Sequence, residues 1–69
     1  MDGKKLRALR EERGLTRKQV EAATGVDRGL LARYEEDPPE NPGVRFVMAL
    51  AKFFDVEVDD LIRDEEAGA

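Results

Sequence analysis

The chain has 69 residues, a formal net charge of −4 and neither cysteine nor histidine, which excludes disulfides, thiolate chemistry, imidazole catalysis and ordinary Cys/His zinc sites. A single domain of this size lies near the lower limit for folding without staples, with a core contributing about 3–5 kcal/mol of net stability. No apolar run approaches the roughly 20 residues that span a membrane, and no basic-then-apolar signal segment opens the chain, so a soluble, cytoplasmic protein is expected.

The first helix is predicted over Gly3–Arg13. Leu6 and Leu9 lie three apart, Ala8 favours helix, Asp2 is placed to cap the start, and Gly14 to stop it in left-handed geometry. Arg7, Arg10 and Glu11 are then expected to face solvent. Thr16-x-x-Gln19 reads as a capping box, with Leu15 and Val20 placed to staple across it. This second helix runs to Thr24 with Val20 and Ala23 inward. Gly25 supplies the positive φ of a tight turn and Val26 plugs the junction. Asp27 caps a third helix over residues 27–35, in which Leu31 and Tyr34 face the core and the Tyr34 hydroxyl is placed to reach solvent.

Residues 36–43, which hold all three prolines, form a loop. Asn41 with Pro42 at the first helical position, or else Gly43, caps a fourth helix over Val44–Phe54. Its buried stripe is expected to be Val44, Val47, Leu50, Ala51 and Phe54. Asp55-Val56 ends it, and Val58, Leu61 and Ile62 make a short fifth helix. Asp64-Glu65-Glu66 and the small residues after them should fray, with 67–69 a tail. The expectation is an all-α domain of five helices over residues 1–66, without internal repeat.

Two short capped helices joined so tightly must cross steeply and hold the second one out from the body. That geometry suits a helix for the major groove of DNA. The charge is distributed accordingly. Residues 1–34 carry nine basic side chains against five acids, whereas residues 35–69 carry three against eleven. A basic face and an acidic back can coexist, because DNA responds to the local field.

Three segments, LRALREERGLT (6–16), TGVDRGLLARYE (24–35) and VRFVMALAKFFDVEVDDLI (44–62), in this order and spacing, resemble the Cro and lambda-repressor type of helix-turn-helix domain, the XRE family of bacterial and phage regulators. The resemblance implies a compact five-helix, lambda-repressor-like domain without cofactor. Such a domain would act as a dimer on a pseudo-palindromic operator and repress transcription, its third helix in the groove. It places Arg17 where helix 2 braces on the phosphate backbone. Arg28, Gly29 and Leu30 fall on the first turn of the recognition helix, Arg33 falls one turn on, and Glu35 matches a frequent Glu at the end of that helix. The chain departs from the pattern at Glu21, where a small Ala usually faces helix 3, at Thr24, at Asp37 and Asp55 in place of Gly, and in a loop one residue longer.

Among these candidates Arg28 is the strongest for base recognition, since guanidinium bonds bidentately to guanine O6 and N7. Gly29 lets the helix sit close. Leu30 reads either as a contact to a thymine methyl or as the core edge, and Arg33 as a DNA contact or a surface pair with Glu36 or Asp37. Basic residues oppose the helix dipole at the start of helix 2, which favours phosphate contact for Arg17 and Lys18 over plain solubility. Arg7, Arg10 and Arg13 recur every three residues, and of these Arg10 is the phosphate candidate. Acids Glu35, Glu36, Asp37 and Glu40 follow the recognition helix and limit affinity. Phe46, Phe53 and Ile62 are candidates for a dimer surface, Phe53 and Ile62 as one patch; alternatively helix 5 covers both rings within one chain. No enzyme, metal site or small-molecule ligand is expected. The rival to DNA binding is a helix-turn-helix module that binds a protein partner, an antitoxin or a regulator's partner, with weak or non-specific DNA binding.

Overall fold

The structure is a computed structural model and describes residues 1–63; the acidic run and tail assigned above to residues 64–69 lie outside the described residues. Five helices follow in order: α1 Gly3–Glu12, α2 Arg17–Thr24, α3 Arg28–Glu36, α4 Val44–Phe54 and α5 Val58–Ile62. The first three starts have a local cause in a capping side chain. Asp2 accepts from the Lys5 N–H at 3.1 Å. Thr16 and Gln19 close a reciprocal box, and Asp27 Oδ2 accepts from Gly29 and Leu30. Such caps satisfy N–H groups that have no partner inside the helix.

The stops are equally local. Gly25 adopts φ 79°, the left-handed conformation that lets α2 end and α3 begin three residues later. Asp55 takes the same role after α4 at φ 57°. Asp37, by contrast, ends α3 at a negative φ of −148°, outside the left-handed region, so the absent glycine costs nothing there. The α4 start differs from the stronger of its two expected caps: Gly43, not Asn41, is the N-cap, and it makes no side-chain cap bond. Its N–H donates instead to the Tyr34 hydroxyl at 2.9 Å. Tyr34 therefore does not put its polar tip into solvent, as expected, but ties the proline loop to α3.

The core joins Leu6, Val20, Val26, Leu31, Tyr34, Val47, Leu50, Ala51, Phe54 and Leu61. α3 packs on α1 and α2, α4 on α2 and α5, and α5 closes back on α1. The Asp2 N–H donates to the Leu61 carbonyl at 2.7 Å, which fastens the first residues to α5. Two apolar residues predicted inside are not. Ala23 is exposed; it lines an open groove with Ala49, Lys52 and Phe53, which a single methyl cannot close. Val44 is 70 % exposed. It shares a helical stripe with Val47, but it sits on the first turn of α4 beside Pro42 and Val58, in a second groove that stays open.

The α1–α3 contact depends on Gly3. A Cβ there would stand 2.6 Å from the Tyr34 carbonyl oxygen, against the last turn of α3. Only a residue without a side chain lets α1 begin so close. Sequence inspection treats Gly3 as an ordinary helix start and misses this.

Candidate nucleic-acid interface

α3 presents its outer face through Arg28, Gly29 and Arg33, all exposed, while Leu31 and Tyr34 anchor the opposite face in the core. Leu30 lies between, partly buried and packed against the core cluster. Arg33 is exposed and no ion pair engages it among the described residues. Gly29 has a further reason to lack a side chain, since a Cβ would lie 3.0 Å from the capping Asp27 Oδ2. α2 crosses behind α3 and places Lys18, also exposed, on its first turn.

The sequence leaves open where Glu21 goes, and the structure answers. Its Oε2 accepts from the Arg28 N–H at 3.0 Å, and its Oε1 lies 3.3 Å from Arg28 Nε. The carboxylate at the position where a small residue usually faces helix 3 thus reaches to the start of the recognition helix. Arg28 remains more than half exposed.

The largest departure from expectation is at Glu35. Its side chain is fully enclosed and receives two arginines. Arg10 donates from Nε to Oε2 at 2.7 Å and from Nη2 to Oε1 at 3.0 Å. Arg17 donates from Nε and Nη2 to Oε1 at 3.2 and 3.1 Å. Burial alone would push the Glu35 carboxyl up, but hydrogen bonds and positive charge from both arginines outweigh it, holding its pKa below the ordinary carboxylate value. Glu35 therefore belongs to the interior, not to the acidic loop.

Arg10, expected to face solvent and offered as a phosphate contact, points inward. Besides Glu35 it bonds the Leu15 carbonyl at 2.8 Å and is almost enclosed; its role is to join α1, α3 and the α2 entry. Arg17 keeps about a third of its side chain exposed and also reaches Glu36 at 3.4 Å. The basic residue at the unfavourable end of α2 is thus answered first by carboxylates of its own chain. Arg13 is likewise engaged, donating to the Leu9 and Phe54 carbonyls and lying over the Phe54 ring at 5.2 Å. Arg7 pairs with Glu11 on the surface of α1.

Of the apolar candidates, Phe46 and Phe53 are each 37 % exposed and Ile62 41 %. Phe46 meets the Tyr34 ring edge-on at 6.4 Å, and Phe53 meets Phe54 at 5.0 Å. Phe53 and Ile62, expected as one exposed patch, are both partly exposed and line different grooves. Phe53 lines the α2–α4 groove, and Ile62 lines the groove with Met1, Pro42, Val44 and Val58. No described helix is long and apolar enough to cross a membrane.

Two short helices, a left-handed glycine between them, a capped second helix with an exposed basic face and a three-helix support define a helix-turn-helix domain. A helix-turn-helix family model matches residues 6–61, and the chain belongs to that family, the DNA-binding domains of Cro and lambda-repressor type, which is regulatory and not catalytic. The chain is 35 % identical over 66 residues to the cryptic phage CTXphi transcriptional repressor RstR of Vibrio cholerae, covering 96 % of this chain and 59 % of that relative. It therefore spans less than two thirds of the relative's length. A solved chain of a SinR protein/SinI protein complex superposes with a TM-score of 0.84 at 23 % identity, over all of this chain and 67 % of that one. At that identity the likeness is one of fold.

Proposed function

We propose that this domain is a sequence-specific, double-stranded-DNA-binding transcriptional repressor that acts in a bacterial cytoplasm on a pseudo-palindromic operator. The observation that carries the reading is the outer face of α3, where Arg28, Gly29 and Arg33 stand exposed on a helix whose inner face is anchored and whose start is capped. In this reading Arg28 reads a base edge, Gly29 allows close approach and Arg33 contacts a base or phosphate one turn on. Leu30 touches a thymine methyl with the part of its side chain left outside the core. Lys18 and the exposed part of Arg17 brace on phosphate. The similarity to a phage repressor supports repression over activation.

The domain acts as a homodimer in this proposal, with recognition helices about 34 Å apart, one turn of DNA. The open apolar groove of Val44, Val58 and Ile62 is the self-association face, because it holds the most exposed large apolar side chain, Val44. Phe46 and Phe53 are secondary candidates, since each ring is already held by a neighbouring ring. A second reading, a module whose main partner is another protein, is favoured by the same grooves and by the carboxylates that engage Arg17 and Arg28.

Selection of random duplex DNA by the purified protein at low and moderate salt, with Arg28→Ala as control, tests the proposal. A two-fold related sequence that the variant no longer selects supports it. Recovery of nothing, or of salt-sensitive binding indifferent to Arg28, refutes it and leaves the protein-partner reading.

A further inference from the structure

Arg28 enters the first turn of α3 already held. Glu21, seven residues earlier on α2, is fastened by one oxygen and turns the other to the side chain: Oε2 accepts from the Arg28 backbone N–H at 3.0 Å, and Oε1 forms an ion pair with Arg28 Nε at 3.3 Å. A carboxylate tied to the backbone cannot follow a moving guanidinium. It marks one fixed place to which the Nε edge returns. The Glu21 side chain is 30 % exposed and that of Arg28 57 %, so the acid is the enclosed partner and the arginine the projecting one.

Guanidinium offers five N–H donors in a planar fork. The closest approach of Glu21 is to the Nε side, and among the described residues no hydrogen bond engages either Nη group. Those two groups are the fork that can meet the O6 and N7 acceptors of guanine in the major groove. A long side chain that is ordered before binding loses less rotamer freedom when it binds. A carboxylate at this place also opposes contact with phosphate, which lowers binding that is indifferent to sequence.

We propose that Glu21 is a positioning residue for base recognition: it holds Arg28 by Nε so that the Nη fork is presented to a guanine in each half-site. Glu21 itself touches no base. The inference rests on the reading of Arg28 as a base contact. It departs from the small residue that the resemblance leads one to expect at Glu21, and gives the carboxylate there a task in discrimination.

The test uses the selected duplex and a second duplex in which the guanine pair read through Arg28 is replaced by A·T. Binding of both is measured at one salt concentration for the wild type, Glu21→Gln, Arg28→Ala and the double variant. Glu21→Asp is the second probe, because it keeps the charge and shortens the reach. A good bidentate contact gives the wild type about a 5- to 150-fold preference for guanine. Glu21→Gln and Glu21→Asp are each expected to lose at least about fivefold of it. The double variant should discriminate no worse than Arg28→Ala alone. A merely structural role for Glu21 would change both duplexes together. Unchanged discrimination in Glu21→Gln and Glu21→Asp, or an equal change on both duplexes, overturns the proposal while leaving Arg28 as a base contact. If Arg28→Ala itself keeps every base preference, the Arg28 reading and the positioning role fall together.

Discussion

Removing the charge of Glu35 is the sharpest test of what holds this small domain together. In Glu35→Gln the shape is kept, but only one oxygen remains. If the amide carbonyl takes the place of Oε1, which accepts from Arg10 Nη2 and from Arg17 Nε and Nη2, the new NH2 faces Arg10 Nε where Oε2 stood at 2.7 Å. One charge-assisted bond becomes a donor facing a donor, and the others become bonds to a neutral acceptor. Hydrogen bonds to charged groups contribute about 1.5–3 kcal/mol each way of counting, and breaking an enclosed ion pair by removing one partner costs about 3–5 kcal/mol. Arg17 can turn toward Glu36 and water, whereas Arg10 is nearly enclosed and cannot. A loss of about 2–3 kcal/mol follows. Against a total of about 3–5 kcal/mol, the variant should be marginal at 25 °C. Urea denaturation followed by circular dichroism, with a slope of about 1 kcal/mol/M for a chain this short, should show the midpoint falling by about 2–3 M.

The same carboxyl sets a pH signature. Its folded-state pKa is lowered, so its contribution is complete above the ordinary glutamate value of about 4.3 and disappears as pH falls through the lower folded value. The gap between wild type and Glu35→Gln should therefore be widest near neutrality and close in acid. A midpoint shift under about 0.5 M at pH 7, or a gap just as wide at pH 2, would refute the account of Glu35 as the charge that joins α1, α2 and α3.

Three further outcomes are expected. Gly3→Ala places a Cβ against the Tyr34 carbonyl and should lose about 1–3 kcal/mol, although alanine is the better helix former; thermal unfolding would show a midpoint lower by at least about 4 °C. Asp55→Gly relieves a left-handed residue at φ 57° and should gain about 0.5–1 kcal/mol, seen as a higher thermal midpoint, because strain removed exceeds the added freedom of the unfolded chain. Lys18→Ala should weaken DNA binding alike for all sequences and reduce the slope of log K against log salt by about one, without altering base preference.

The helices were legible because their signals are local. Thr16 with Gln19, Asp27, Gly25 and the spacing of Leu31 and Tyr34 all act within four residues, and the caps, turn and inward face of the α2–α3 pair can be read in one pass. Arg10 and Glu35 are 25 residues apart, and neither carries a mark that separates an interior ion pair from a solvated charge. The three-residue spacing of Arg7, Arg10 and Arg13 favoured one exposed face, yet the three side chains meet Glu11, Glu35 and the Phe54 carbonyl respectively. Gly3 was hidden for a similar reason, since close approach of α1 to α3 is a property of packing. A signal for Glu35 did exist: a glutamate matching a frequent family position at the end of a recognition helix, where its charge would oppose DNA, calls for a reason other than DNA. Val44 and Ile62 show the converse limit, because apolar spacing marks a face as apolar without stating whether the same chain covers it.

Once the pairs are known, the uneven charge acquires a different meaning. The basic half has nine cationic side chains, but Arg10 and Arg17 serve Glu35, Arg28 meets Glu21, Lys5 faces Asp60, Arg7 binds Glu11, and Arg13 is held on the Phe54 carbonyl. Contact with phosphate at Arg17 or Arg28 would exchange one anion for another, so each adds less to affinity than an unengaged cation. Lys18 and Arg33 carry no such exchange among their described contacts. In the proposed docking a single domain therefore binds weakly and with little affinity for arbitrary sequence, since the acidic half also repels the duplex. Weak general binding is an advantage where a genome offers about 10⁶–10⁹ competing sites, because occupancy follows the ratio of specific to non-specific affinity. In the proposed dimer, two domains on one operator would recover affinity through effective concentration and preserve that ratio. The carboxylates at 21 and 35 act on different terms of this balance: Glu35 stabilises the frame that positions α3, and Glu21 acts on how much of the binding depends on sequence.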